Sequence, residues 1–208
     1  MKPHREDSGG MRSGRFLEAA LLGRPTSFET GLPIKEAMQK GQLVSLLRQN
    51  IGTIMQQVRE SQRDDPSFPK RPFLRRLLTD VEDALSKQYD LPSDYAVRIH
   101  SALGTVLDLG GVDFWVELYD EDKDRVLTDY KIDLKSNPEG QMGRMADYLF
   151  YCDEAIASNS DPKAIFGTQD YKDMVLSTTD HLARGINRLY LRSLRDENSP
   201  LQRSADLS

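Results

Sequence analysis

Cysteine is almost missing from this chain: Cys152 is the only one in 208 residues. That excludes an internal disulfide and any cysteine-based zinc cluster, and it suits a reducing cytoplasm. Histidine is scarce too, and His4, His100 and His181 are scattered without ligand spacing. No apolar run approaches the roughly 20 residues of a membrane helix. The opening M-K-P-H-R-E-D-S-G-G lacks the apolar core of a secretory signal. There is no glycine-rich phosphate loop before a helix and no G-x-S-x-G turn. An excess of positive charge is also lacking. The net charge of −5 argues against a surface wholly devoted to nucleic acid and leaves room for a local basic stripe. What remains is a polar chain, 29% charged and 38% hydrophobic, long enough for one domain with an added helical arm.

Two alternating runs joined by the charged turn D-E-D-K-D, together spanning Val112 to Lys135, predict a β-hairpin. In the first run Val112, Phe114, Val116 and Leu118 share one face, and Asp113, Trp115 and Glu117 the other. In the second, Val126, Tyr130, Ile132 and Leu134 oppose Lys131, Asp133 and Lys135. Apolar positions are even and polar ones odd, so directly paired residues must have numbers with an even sum. A turn centred on Lys123 meets this condition and sets Asp113 against Asp133, with Cβ atoms about 4.5–5.5 Å apart. Two carboxylates that close repel. Lys135 offsets part of the cost, and a divalent cation would offset more.

Along the chain, residues 1–32 read as a flexible arm with one short docking segment at Phe16 to Leu22. From 33 to 63 the periodicity is helical, with Val44, Leu47, Ile51, Ile54, Met55 and Val58 on one stripe. That stripe suits packing on the same domain, and its narrow seam suits a homodimer as well. The proline-rich run from Pro66 to Pro72 marks a boundary, after which 72–196 forms the core domain and 197–208 a disordered tail. A helix is expected from Pro72 to Tyr89. A strand, or a short helix capped at Ser93-Asp94, is expected over Tyr95 to Leu103. Gly104 and the Gly110-Gly111 pair bracket T-V-L-D-L, so Asp108 approaches the hairpin from a loop as a candidate metal ligand. A helix is expected over Met142 to Ala157, a last short strand at Ala164 to Gly167, and a long helix over Gln169 to Arg195. On that last helix Arg184, Arg188, Arg192 and Arg195 recur every turn, a spacing that can track a phosphate backbone or complement the helix dipole. The fold class is therefore α+β: a helix-rich chain with a small central mixed sheet, flanked by helices.

Asp113 in a strand after a glycine pair, then Asp133-Leu134-Lys135 closing the next strand, resembles the PD-(D/E)xK nuclease superfamily over roughly residues 72–168. Val112 stands where the family name implies proline, and Asp133 where glutamate is commoner. The resemblance implies Mg²⁺ or Mn²⁺ held by Asp113 and Asp133, with Lys135 orienting or activating the attacking water. It also implies an extra acid from the preceding helix, for which Glu82 is the candidate. The implied activity is metal-dependent phosphodiester hydrolysis on nucleic acid, whose backbone Arg184, Arg188 and Arg192 would hold. The alternative is a non-catalytic α+β protein-interaction module, in which Asp113, Lys131, Asp133 and Lys135 form a solvated charge ladder on the wet face of an antiparallel sheet.

Overall fold

A computed structural model describes residues 21–22, 32–89, 91–92, 94–135, 141–151 and 168–197. Most of the expected N-terminal arm, nearly all of the expected C-terminal tail and the Ala164–Gly167 run lie outside these residues. The chain is α+β. Its four-stranded mixed sheet follows chain order: β1 (Tyr95–Ser101), β2 (Phe114–Asp120), β3 (Arg125–Lys135) and β4 (Tyr148–Tyr151). The first three strands form an antiparallel meander, and β4 runs parallel to β3. Around the sheet lie α1 (Ile34–Gln39), α2 (Leu43–Gln49), α3 (Ile51–Glu60), α4 (Pro72–Tyr89), the short α5 (Val106–Leu109) and α6 (Gln169–Glu197). Among the described residues no helix is long and apolar enough to cross a membrane.

The even-numbered face of β2 and β3 carries Phe114, Val116, Leu118, Ile132 and Leu134, all buried against α4 and α6. Phe73 of α4 anchors this layer, stacked on Phe150 at 5.8 Å and edge-on to Phe114 at 6.4 Å. Such pairs add about 0.5–1.5 kcal/mol beyond the area they bury. Gly185 of α6 lies so close to the Tyr130 ring that a Cβ there would sit 2.6 Å from it, so a helix-weakening residue buys close helix–sheet contact.

The odd-numbered face is not wet. Leu47 of α2 and Ile54, Met55 and Val58 of α3 pack with Val112, Trp115 and Met145 in a second apolar cluster. The stripe of the 33–63 segment is thus spent on its own sheet. Gly41 at φ +68° and Asn50 divide the segment into three short helices instead of one.

Pairs from Phe114–Ile132 to Leu118–Thr128 share one register, centred on Lys123, and an irregularity follows at Leu118/Tyr119. Buried Asp120 closes the turn by accepting from the Lys123 backbone at 3.0 Å and from its ammonium at 2.9 Å. At the outer edge of β1, Ile99 N donates to Pro66 O, and the Gln62 side chain both donates to and accepts from the Ser101 backbone.

Two expectations need correction. Asp108 lies on α5, not in a loop. Residues 141–147 are not helical, and Tyr148–Tyr151 is a strand. The spacing of Met145 and Leu149 mimics a helix, but pairing from Ile132–Tyr148 to Lys135–Tyr151 decides the conformation of an aromatic run that favours strands.

Candidate functional site

The corner where β2 begins and β3 ends brings Asp113, Asp133 and Lys135 together. The glycine pair makes it possible: Gly111 adopts φ +81°, and its backbone touches that of Gly143 so closely that a Cβ on either would collide with the other. Asp113 N donates to Ile132 O at 2.8 Å, one residue off the ladder register, so the two acids are offset and not squarely opposed. Asp113 Oδ2 accepts from Leu134 N at 2.6 Å, standing in for the ladder partner that β2 no longer supplies. Asp133 Oδ2 accepts from Gly143 N, also at 2.6 Å. Each acid thereby ties down a backbone amide.

Both are sealed, Asp113 at 4% exposure and Asp133 at 0%. This burial overturns the solvated-ladder reading for the two acids, because α2, α3 and the 141–147 loop cover that face. Lys135 is half-buried, with Nζ 2.7 Å from Asp133 Oδ1. The ammonium lies off the line of a good hydrogen bond, so this buried oxygen has charge beside it but no aligned donor. Buried polar atoms in that state are uncommon and call for an explanation.

Glu82 and Asp108 do not join the pair by any hydrogen bond or ion pair. Glu82 is exposed on α4, and its carboxylate takes a hydrogen bond from the Val97 backbone. Partial loss of hydration against the helix flank pushes its carboxyl up, and the Val97 amide opposes this. Val97 lies four residues down β1 from Ser101, about 13 Å at 3.3 Å per residue. Asp108 Oδ2 accepts from Gly104 N at 2.8 Å and so closes its own loop. Among the described residues no group of three or more His, Cys, Asp or Glu could hold a metal ion. Two carboxylates nevertheless fit Mg²⁺, which takes one or two acids and keeps several waters, better than they fit ions that need a protein cage.

Arg184, Arg188 and Arg192 are exposed on α6, which covers the opposite face of the sheet. Strand alternation therefore separates them from Asp133. Their neighbours are His181, stacked on Tyr148 at 3.8 Å, and Tyr130, whose hydroxyl lies 3.3 Å from His181 Nε2. Burial, then the charges of Arg184 and Arg188, lower the His181 pKa. On the carboxylate side the nearby cations are instead Arg48 and Arg144. Arg144 follows Gly143, and Arg48 Nη2 donates to Arg144 O at 2.8 Å. Arg48 and Arg144 are 96 positions apart in the sequence. Neither has a signal visible without the fold.

A second buried polar cluster was also not foreseen. Glu117, 1% exposed, accepts at Oε1 from Trp115 Nε1 at 2.7 Å and Arg59 Nε at 2.7 Å, and Oε2 lies 3.0 Å from His100 Nε2. Arg59 Nη2 is 2.5 Å from the same Oε1, and the His100 ring stacks on Trp115 at 4.7 Å. Burial alone would raise the Glu117 carboxyl, but the hydrogen bonds and charges of His100 and Arg59 outweigh it and hold the pKa at about 2. Trp115 on the nominally polar face was the available clue, since a tryptophan there needs cover. The chain as a whole matches no family model, no curated protein and no solved structure.

Proposed function

We propose that the Asp113–Asp133–Lys135 corner is the centre of a metal-dependent phosphodiester hydrolase of PD-(D/E)xK type, acting on nucleic acid. The observation that carries the reading is Asp133 Oδ1: buried, without an aligned donor, and flanked by a second acid and a lysine on adjoining strands. Asp113 and Asp133 would hold Mg²⁺ or Mn²⁺. When bound, such an ion lowers the pKa of a coordinated water and stabilises charge developing on phosphate. The backbone amides of Leu134 and Gly143 hold both carboxylates in place. Lys135 balances the two negative charges and, once released from Asp133 Oδ1, can orient the attacking water or neutralise charge on phosphate. Because both acids are sealed, the 141–147 loop has to shift for substrate to reach them. The single cysteine in 208 residues suits a reducing, cytoplasmic setting.

That sealing also favours a second reading, in which the corner is a structural clip within a non-catalytic protein-interaction module, monomeric or dimeric. Calorimetric titration of Mg²⁺ and Mn²⁺ into the intact chain and into Asp133→Asn separates the two. Asparagine keeps an acceptor for Gly143 N and removes the charge. Metal binding, together with cleavage of a mixed DNA and RNA pool, both lost in Asp133→Asn, is expected for the hydrolase. No binding and no cleavage by either protein leaves the interaction module.

A further inference from the structure

The arginines of α6 are arranged unlike the other surface charges of the chain. Elsewhere the helices pair opposite charges one turn apart: Glu36 with Lys40, Arg76 with Asp80 and Asp83 with Lys87. On α6 the same spacing sets Arg184 against Arg188 and Arg188 against Arg192, like charges that weaken a helix. All three are exposed, and among the described residues none has a carboxylate within ion-pair distance. The helix dipole does not account for Arg184 or Arg188, because its effect is confined to the last turn and Arg184 stands more than three turns before Glu197, where α6 ends. Of the neighbouring acids, Asp147 is engaged by Lys131, and Asp180 offers Arg184 Nε its backbone carbonyl at 3.0 Å.

His181 opens the same stripe, one turn before Arg184. Its ring lies flat on Tyr148 at 3.8 Å, and its Nε2 is 3.3 Å from the Tyr130 hydroxyl. The charges of Arg184 and Arg188 are both felt at His181, that of Arg184 at Tyr148 and that of Arg188 at Tyr130. Tyr148 also lines a cavity of about 420 Å³ between β4 and α6, together with Tyr151, Met174 and Thr178, a volume within the roughly 300–1,000 Å³ of small-molecule sites. Asp170 and Asp173 line it too, from the N-terminal end of α6. Negative charge at that end directs a bound phosphate toward the arginines.

We propose that this surface binds single-stranded nucleic acid, with phosphates on Arg184, Arg188 and Arg192 and an unstacked base in the β4–α6 cavity against Tyr148. Guanidinium groups suit phosphate oxygens through paired N–H donors, and an aromatic ring recognises the face that any base exposes once unstacked. A duplex offers the phosphates but keeps its bases covered. The sheet separates this site from Asp133, so it holds a strand without cutting it. It does not rest on the hydrolase reading, since an interaction module would carry the same surface.

The test uses the full chain in EDTA, which suppresses metal-dependent cleavage, and fluorescence anisotropy over a range of salt. Three labelled probes are compared: oligothymidine, an abasic strand of the same length and a DNA duplex. Each lost phosphate contact lowers the single-strand salt slope by about 0.7, so Arg184→Gln plus Arg188→Gln plus Arg192→Gln should lose about 2.1. If that variant melts early, Arg188→Gln alone serves, with a loss of about 0.7. Oligothymidine should bind about tenfold or more tighter than the abasic strand, as stacking of a base requires. Tyr148→Leu, checked by melting, should erase that preference and keep the slope. Asp133→Asn should bind oligothymidine as the intact chain does. An unchanged slope in the arginine variant, equal binding of the abasic strand, or a duplex bound as tightly as oligothymidine overturns the proposal and leaves cleavage at the corner untouched. A base preference that survives Tyr148→Leu overturns the cavity as its source. Binding lost in Asp133→Asn places the strand at the corner and overturns a separate site.

Discussion

Glu117 and Asp133 lie on the same face of the central sheet, and both are closed to solvent, yet their surroundings differ. Glu117 is saturated: an indole, a guanidinium and an imidazole converge on its two oxygens. Asp133 has one oxygen on a backbone amide and the other on a lysine that does not line up. A saturated buried acid is a clamp whose removal leaves charged partners stranded. The pair therefore contrasts an acid whose two oxygens are both saturated with one whose Oδ1 has only a lysine ammonium beside it, a distinction burial alone does not make.

The largest expected effect lies on the saturated side. Glu117→Ala strands Arg59 and His100 under α3 and should cost about 3–5 kcal/mol in urea unfolding, with no change in metal affinity. A loss as small as that of a surface substitution would erase the contrast with Asp133. Next comes acid. Because the folded pKa of Glu117 is about 2, below its ordinary value near 4.5, the stability it contributes is present above pH 4.5 and is lost as pH falls toward 2. The contribution is about 3 kcal/mol. Melting curves from pH 6 to pH 2 should show a loss that Glu117→Gln flattens, and equal curves for both proteins would count against the assignment. A smaller effect is expected at the corner itself. Gly143→Ala forces a Cβ into Gly111 and should cost about 1–3 kcal/mol, as overpacking does. The same change should weaken Mg²⁺ binding because it displaces the amide that orients Asp133. Unchanged metal affinity in a destabilised Gly143→Ala would show that the loop and the acids are independent.

The hairpin and its acids were legible because β-strand alternation is local: parity put Asp113 and Asp133 on one face, and a turn centred on Lys123 was among the registers it allowed. The same parity misled about the environment. It labels Trp115, Glu117 and Asp133 as a polar face, whereas their burial depends on α2 and α3, which come from 33–63 and meet the sheet only in the fold. Arg59 reaches Glu117 across 58 positions, a distance no periodicity reports. The β4 strand was hidden for a related reason. Four residues are too few for a pattern of their own, and only their pairing with β3 distinguishes them from a helical turn. Asp108 and Glu82 look like ligands in a sequence because carboxylates are acceptors anywhere, and Gly104 and Val97 were the donors that claimed them.

The Gln62 side chain at the outer edge of β1 has a consequence for how this protein meets its own copies. Its primary amide gives and takes a hydrogen bond with Ser101 as a peptide group in a fifth strand would, and it also donates to Val58 O at the end of α3. The sheet is thus terminated by an imitation of its own continuation. A strand arriving from another molecule would have to evict Gln62 and also break the bond from Ile99 to Pro66. Edge-to-edge growth, the usual route by which exposed strands recruit one another into aggregates, is obstructed on this side by one amide and one carbonyl.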